Sequence, residues 1–300
     1  MGHDHHAHTA SLNYNRAFSI GIALNILFVI IEVVYGLYAD SLALIADAGH
    51  NLSDVFSLLL AWGAYYLSKK APTPTYTYGL KKATILASLL STLLLIMALG
   101  TIFYEAIERL RSPETVKGLT IITVASIGVI INAATAWLFL HGSKNDLNVK
   151  AAYMHMVADA AVSVGVVLAG VAIIFTGWVW IDPLLSIFIV IFVFMGTWGL
   201  LKDSINLSVD AVPEKIDIEE IKEYLLSLPG IVSLHDLHIW PLSTTQTAMS
   251  VHLVTTNEML NNQFIEKIQE DFHHHFEIDH VTVQMEKIDA EFHCHLEKEI

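Results

Sequence analysis

Two apolar stretches of this 300-residue chain place a histidine and, four residues later, an aspartate. They are His50 with Asp54, in Ala-Asp-Ala-Gly-His-Asn-Leu-Ser-Asp, and His155 with Asp159, in Met-His-Met-Val-Ala-Asp. On an α-helix this spacing puts both side chains on one face, a turn apart. If the two helices face each other, two imidazoles and two carboxylates surround one point, the four-coordinate N/O set that Zn²⁺ accepts. Two aspartates also neutralise a divalent charge. A single pair of this kind is equally explained as a buried His–Asp hydrogen bond between neighbouring helices. Repeated at the same spacing in two apolar segments, it would incur the cost of intramembrane ionisable groups four times for packing alone.

Other side chains with metal-binding chemistry lie around and beyond these pairs. Asp47 is seven residues before Asp54 and shares its helix face, as a supporting group or a water-lined entry group. Asn25, Glu32 and Asn132 are further polar residues in apolar stretches, expected to make interhelical hydrogen bonds rather than to act as ligands. Histidine is abundant, at 16 copies. It clusters at the N-terminus, at His273-His274-His275 and at His293-Cys294-His295, and the last is a candidate ligand set because imidazole and thiolate both bind Zn²⁺. A histidine run on a surface helix is otherwise a solvated face.

The elements that must hold these residues are apolar. With 54% hydrophobic and 15% charged residues, the chain falls well below the roughly one quarter charged residues usual in soluble proteins. Six stretches, near 17–38, 41–67, 83–107, 119–140, 151–176 and 178–200, reach the ~20 helical residues that cross a hydrocarbon core. Gly177, Trp178 and Trp180 form an aromatic hairpin suited to a membrane interface. Lys and Arg favour one side: Arg16, Lys69, Lys70, Lys81, Lys82, Lys144, Lys150 and Lys202, against Arg109, Arg111 and Lys117. By the positive-inside rule both termini face the cytoplasm. The 30 acidic against 16 basic residues argue against a nucleic-acid partner. The single cysteine, Cys294, excludes an intramolecular disulfide.

After Asn206 the character changes. Pro213 and the acidic run from Asp217 to Glu220 open a soluble segment that reads as helix 217–228, strand 231–240, strand 247–256, helix 258–275 and strand 279–287. Met249, Val251 and Leu253 alternate with Ser250 and His252, and Val281, Val283 and Met285 alternate with Thr282, Gln284 and Glu286, as in half-buried strands with one polar face.

These residues together resemble the zinc-type cation diffusion facilitators of bacteria and archaea. The resemblance runs from about Asn15 to Glu286. It rests on the two HxxxD pairs, on Ser-Leu-Ala-Leu-Ile-Ala-Asp-Ala-Gly-His at 41–50, on Trp-Ile-Asp-Pro at 180–183 and on His-Asp-Leu-His-Ile-Trp at 235–240. It implies an α-helical membrane protein with six transmembrane helices and a C-terminal α+β ferredoxin-like cytoplasmic domain. The expected layout is a His-rich tail (1–14), a transmembrane domain (15–206), the cytoplasmic metal-binding and dimerisation domain (207–290) and a His-Cys-His tail (291–300). It further implies a homodimer in the cell's inner membrane that exchanges Zn²⁺ for protons, with His50, Asp54, His155 and Asp159 as the transport site. In the cytoplasmic domain it implies His235, His252 and Glu286 as ligands. Strict alternation instead puts His235 beside Leu237 and Ile239 and turns His238 to the polar face, so either the strand has a bulge or the ligand is His238. Residues 68–80 contain no histidine, which leaves without ligands a loop site that some family members have.

Competing functions lack their motifs. A metalloenzyme would use a His-Glu-x-x-His run, and an ATP-driven pump a G-x-x-x-x-G-K-[ST] loop; the chain contains neither. A passive channel would differ in needing no pH gradient.

Overall fold

A computed structural model describes the backbone of residues 7–112, 114–140, 147–256 and 262–288; side chains are described in those ranges from residue 23, except 54, 57, 58, 61, 62 and 147–152. Six long helices come first: α1 (Ala7–Ala39), α2 (Leu42–Ser68), α3 (Ala83–Arg111), α4 (Gly118–Leu140), α5 (Leu147–Thr176) and α6 (Ile181–Ser208). Each overlaps one of the six apolar stretches, although α1 begins at Ala7, well before its stretch, and α6 ends at Ser208, beyond its own. Among the described residues, α3, α4, α6 and the Tyr153–Thr176 part of α5 are long and apolar enough to cross a bilayer. The described chain divides into two compact units, residues 1–59 with 91–199, and residues 60–90 with 200–300.

In the first unit an apolar core also encloses polar side chains, while large apolar side chains face outward. Glu32, Asp47, Asn132 and Asp159 are buried, whereas Ile130, Leu168, Phe188 and Met195 are exposed. An outward apolar surface with polar groups inside is stable only where the surrounding solvent is hydrocarbon. Glycine allows the closest helix approaches. A Cβ on Gly118 would stand 2.8 Å from Ile174 Cγ1, and one on Gly170 2.8 Å from Ile122 Cγ1, so α4 and α5 meet nearly backbone to backbone.

The α1–α2 corner sets the start of the helix that carries His50. Asp40 takes a left-handed conformation (φ 56°), which a short polar side chain tolerates, and the chain reverses there. Arg109, in the last turn of α3, clamps the corner: Nη1 donates to the Asp40 carbonyl (2.5 Å) and Nη2 to its carboxylate (2.8 Å). The first turn of α2 is capped from a distant helix. Asp182, at the start of α6, accepts hydrogen bonds from Ser41 Oγ, from Leu42 N at 2.8 Å and from Ala43 N at 3.4 Å. A carboxylate at a helix N-terminus satisfies donors that have no intrahelical partner and matches the positive end of the helix dipole. Between α5 and α6, Gly177 (φ 71°) ends α5, and Trp178 stacks on Trp180 with ring centroids 5.6 Å apart.

In the second unit, the C-terminal segment contains α7 (Ile218–Ser227), β1 (Ile231–Pro241), β2 (Thr247–Thr255), α8 (Asn262–His275) and β3 (His280–Lys287). The sheet order is β1-β2-β3, with β1 and β2 antiparallel and β2 and β3 parallel. Asp217 caps α7 by accepting from Glu219 N and Glu220 N. Ile221 and Leu225 of α7 and Ile268 and Phe272 of α8 pack with Met249, Val251 and Leu253 on one face of the sheet. Tyr224 of α7 donates to Asp271 of α8, and burial together with that carboxylate pushes the phenol pKa up. The strand boundaries expected from sequence hold to within a residue, but the expected half-burial of the second strand does not. Being central, β2 also buries Ala248 and His252 on its polar face.

Asp182→Ala removes all three cap bonds at once. It should lower the stability of the helical unit by about 1–3 kcal/mol, the cost of leaving buried helix donors without a charged acceptor. The check is the apparent melting temperature in detergent, and an unchanged value would mean that the corner is held by Arg109 alone.

Candidate metal centres

Helix α2 carries His50, and α5 carries His155 and Asp159 one turn apart. The structure brings these three together. His50 Nε2 is 3.4 Å from Asp159 Oδ1, His155 Nε2 is 3.6 Å from Asp159 Oδ2, and the two imidazole rings meet edge-on with centroids 5.8 Å apart. One ligand atom from each lies within 4.8 Å of the others. Zn–N and Zn–O bonds of about 2.0–2.2 Å in a tetrahedron put neighbouring ligand atoms roughly 3.3–3.6 Å apart, so these separations suit a common metal. Asp159 is 2% exposed, and its Oδ2 accepts no hydrogen bond among the described residues. Such an oxygen is poorly solvated as it stands and is an available donor for a cation. Asp54 follows His50 by one turn of α2, but its side chain lies outside those described.

A polar layer surrounds these ligands. Asn51, next to His50 in sequence, donates from Nδ2 to Glu32 Oε2 of α1 at 3.2 Å. Ser163, one turn after Asp159, donates to Asp47 Oδ2 of α2 at 3.4 Å. Asn25 of α1 donates to the Met156 sulfur of α5 at 3.7 Å. Asn25 and Glu32 thus make the interhelical contacts expected of them. Asn132 does not: it is fully buried, and neither its amide nitrogen nor its oxygen has a hydrogen-bond partner among the described residues. Sequence reasoning missed Asn51 and Ser163, whose helical offsets of one residue from His50 and four from Asp159 are the signals that could have found them. Space for Ser163 comes from Gly128 of α4, where a Cβ would lie 3.0 Å from Ser163 Oγ and 2.5 Å from Phe28 Cζ.

The second cluster is on the polar face of the sheet. Strand β1 pairs His235 with His252 and His238 with Ser250, which leaves two residues, Asp236 and Leu237, opposite the single Val251. The extra residue makes a β-bulge. Its pivot is Asp236, in the left-handed region at φ 52°. The bulge reverses the side-chain phase of β1, so His235 and His238 both lie on the polar face while Leu237 and Ile239 stay in the core. Of the two alternatives that alternation left open, this backbone has the bulge.

His235 Nε2 lies 3.5 Å from Glu286 Oε2, and His252 Nδ1 lies 3.0 Å from Glu286 Oε1. The two rings are 5.1 Å apart, and one ligand atom from each of the three residues falls within 4.8 Å of the others. His235 Nε2 is buried without a hydrogen-bond partner. Two imidazoles and a carboxylate at these spacings fit a Zn²⁺ ion with a fourth position supplied from elsewhere. His238 is turned away from this set, with Nε2 bonded to Asp236 Oδ1 at 2.8 Å.

Among the described residues, the remaining candidates form no such set. His273, His274 and His275 are exposed on the last turn of α8, with a His273–His274 ring contact at 5.2 Å. His293, Cys294 and His295 lie outside the described residues. Among the described residues, the groups that gather three potential ligands are the two above.

Comparison with known proteins covers both units. The cation efflux transmembrane domain matches residues 19–207, and the cytoplasmic domain of cation efflux proteins matches residues 213–288. The chain is 37% identical over 291 residues to a cadmium, cobalt and zinc/H(+)-K(+) antiporter of Bacillus subtilis (strain 168), covering 95% of this chain and 92% of the relative. It is 37% identical over 284 residues to the metal cation efflux system protein CzcD of Cupriavidus metallidurans, covering 94% and 89%. It is 36% identical over 292 residues to the zinc transporter ZitB of Escherichia coli (strain K12), covering 95% and 93%.

Asp159→Ala removes the carboxylate that touches both imidazoles. The variant should remain monodisperse in detergent and bind one Zn²⁺ fewer per protomer than the wild type, counted by equilibrium dialysis. An unchanged stoichiometry would remove Asp159 from the ligand set.

Proposed function

Because the chain belongs to the cation diffusion facilitator family, we propose that it exports a divalent metal, Zn²⁺ foremost, from the cytoplasm in exchange for protons. It works as a homodimer in the inner membrane, with α1 to α6 as six membrane spans and both termini in the cytoplasm. The observation that carries this reading is the meeting of the half-buried His50 and His155 with the buried Asp159, between two helices whose outer surfaces are apolar. Asp54, one turn from His50, completes a set of two nitrogens and two carboxylates. The relatives named for zinc, cadmium and cobalt transport support the substrate class.

The exchange follows from the donor chemistry. Imidazole and carboxylate bind metal only when unprotonated, so metal and protons compete for the same atoms. Imidazole, with an ordinary pKa of about 6.5, changes charge close to working pH and is the natural coupling group. With both aspartates ionised, the metal-loaded site is electrically neutral, which lowers the cost of holding a divalent ion inside the bilayer. Entry of protons from the outer side restores that balance after the metal leaves, and helix movement exposes the site to one side at a time.

The C-terminal segment is read as the family's ferredoxin-like cytoplasmic domain, in which His235, His252 and Glu286 bind metal as a regulatory set. The His293, Cys294 and His295 tail is an additional ligand set reached from the cytoplasm.

The test is Zn²⁺ uptake into proteoliposomes with and without an imposed pH gradient. Exchange requires that uptake rise with the gradient and collapse when it is dissipated; flux indifferent to the gradient would mean a passive channel instead. His50→Asp, assayed in the same vesicles, changes the set to one nitrogen and three oxygens. It should reduce Zn²⁺ transport and raise the ratio of Mn²⁺ to Zn²⁺, because oxygen ligands suit the harder ion. An unchanged ratio would make His50 a packing residue.

A further inference from the structure

The bulge residue Asp236 joins the polar face of the sheet through both of its carboxylate oxygens. Oδ2 lies 3.3 Å from His252 Nε2, and Oδ1 lies 2.8 Å from His238 Nε2. The opposite nitrogen of the same His252 ring, Nδ1, is the one directed at Glu286, 3.0 Å away. His252 therefore stands between two carboxylates, one on the side of the candidate ligand set and one behind it. Asp236 is buried, and its position follows from its own backbone: at φ 52° the strand gains its extra residue, and the side chain turns to the polar face beside His252.

We propose that Asp236 is a positioning residue for metal binding, holding the His252 ring with its Nε2–H toward the carboxylate and its Nδ1 turned toward Glu286, the side on which the metal binds. It rests on the reading of His235, His252 and Glu286 as a metal set. A neutral imidazole carries its proton on one nitrogen, and the group that accepts from that nitrogen decides which one remains to bind metal. A carboxylate behind a ligating imidazole fixes this tautomer, orients the ring and makes its free nitrogen a better donor. Asp236 is itself held by His238, which gives the second histidine of the His-Asp-Leu-His run a task without making it a ligand. One bulge thus performs two operations, bringing His235 to the polar face and placing a carboxylate behind His252.

The left-handed backbone makes the test clean, because Gly and Asn both adopt φ near +52° without strain. Asp236→Gly keeps the bulge and deletes the acceptor, whereas Asp236→Asn keeps the bulge and an amide oxygen that accepts the same Nε2–H. Zn²⁺ affinity is measured on the full-length protein by competition with a chelator. A His50→Ala/Asp159→Ala/His293→Ala/Cys294→Ser/His295→Ala background leaves the sheet set as the one being titrated. Asp236→Gly should weaken binding by about 10- to 100-fold, the usual effect of losing such a partner, and Asp236→Asn should recover a large part of that loss. Wild-type affinity in Asp236→Gly would overturn the proposal and leave Asp236 with a backbone role only. Equal loss in Asn and Gly variants would also overturn it, showing Asp236 to be a direct ligand. His252→Ala is measured beside them: if it binds Zn²⁺ as tightly as its parent, the regulatory set itself fails, an outcome distinct from failure of the positioning role.

Discussion

A carboxylate enclosed by helices in a hydrocarbon solvent is costly unless a cation or a proton balances its charge, and Asp159 lies under that constraint. It is almost wholly buried, touches two imidazoles and keeps an oxygen that accepts no hydrogen bond among the described residues. The residues around it can be understood as means of carrying that charge. His50 and His155 supply groups that bind a proton or share a metal, Asn51 engages Glu32, and Ser163 engages the adjacent buried Asp47. Helix α2 must be held in register for His50 to meet Asp159, and its first turn is fixed by Asp182 from α6 and by the Arg109–Asp40 clamp.

Much of this arrangement could be read along the chain because its signals are local. An i, i+4 pair of His and Asp needs only helix geometry to define a face, and apolar length alone marks the long helices. The residues that reasoning on sequence did not place depend on partners far away along the chain. Asp182 lies more than a hundred residues from the α2 donors it caps, so the Trp-Ile-Asp-Pro run is recognisable as a motif without revealing what the aspartate holds. Ser163 is unremarkable until the absence of a side chain at Gly128 brings α4 against α5. Asn132 looked like an interhelical bonding residue by type alone, yet its amide finds no partner among the described residues.

The sheet illustrates a different limit. Period-two alternation identified the strands, and it correctly exposed a conflict at His235, but a pattern cannot count an inserted residue. The extra residue sits at a left-handed Asp236, a conformation that short polar side chains tolerate and that sequence alone does not announce. Burial of the polar face of β2 was likewise not legible, because it depends on that strand's central place in the sheet.

The two candidate centres share a donor logic, two imidazoles bridged by one carboxylate, in different surroundings. One lies among apolar helices, where charge balance dominates; the other lies on a sheet, where supporting hydrogen bonds can orient each ring. Exchange depends on competition between metal and protons for the intramembrane set. It is tested by proton release on Zn²⁺ binding in weakly buffered detergent solution, using the full chain with His235→Ala/His252→Ala/His293→Ala/Cys294→Ser/His295→Ala so that the sheet cluster and the tail are silent. Protons should be released, in a number that grows as the pH falls through the range in which imidazole titrates, because the metal-free ligands then begin more protonated. Zn²⁺ binding with no proton release at any pH would contradict it.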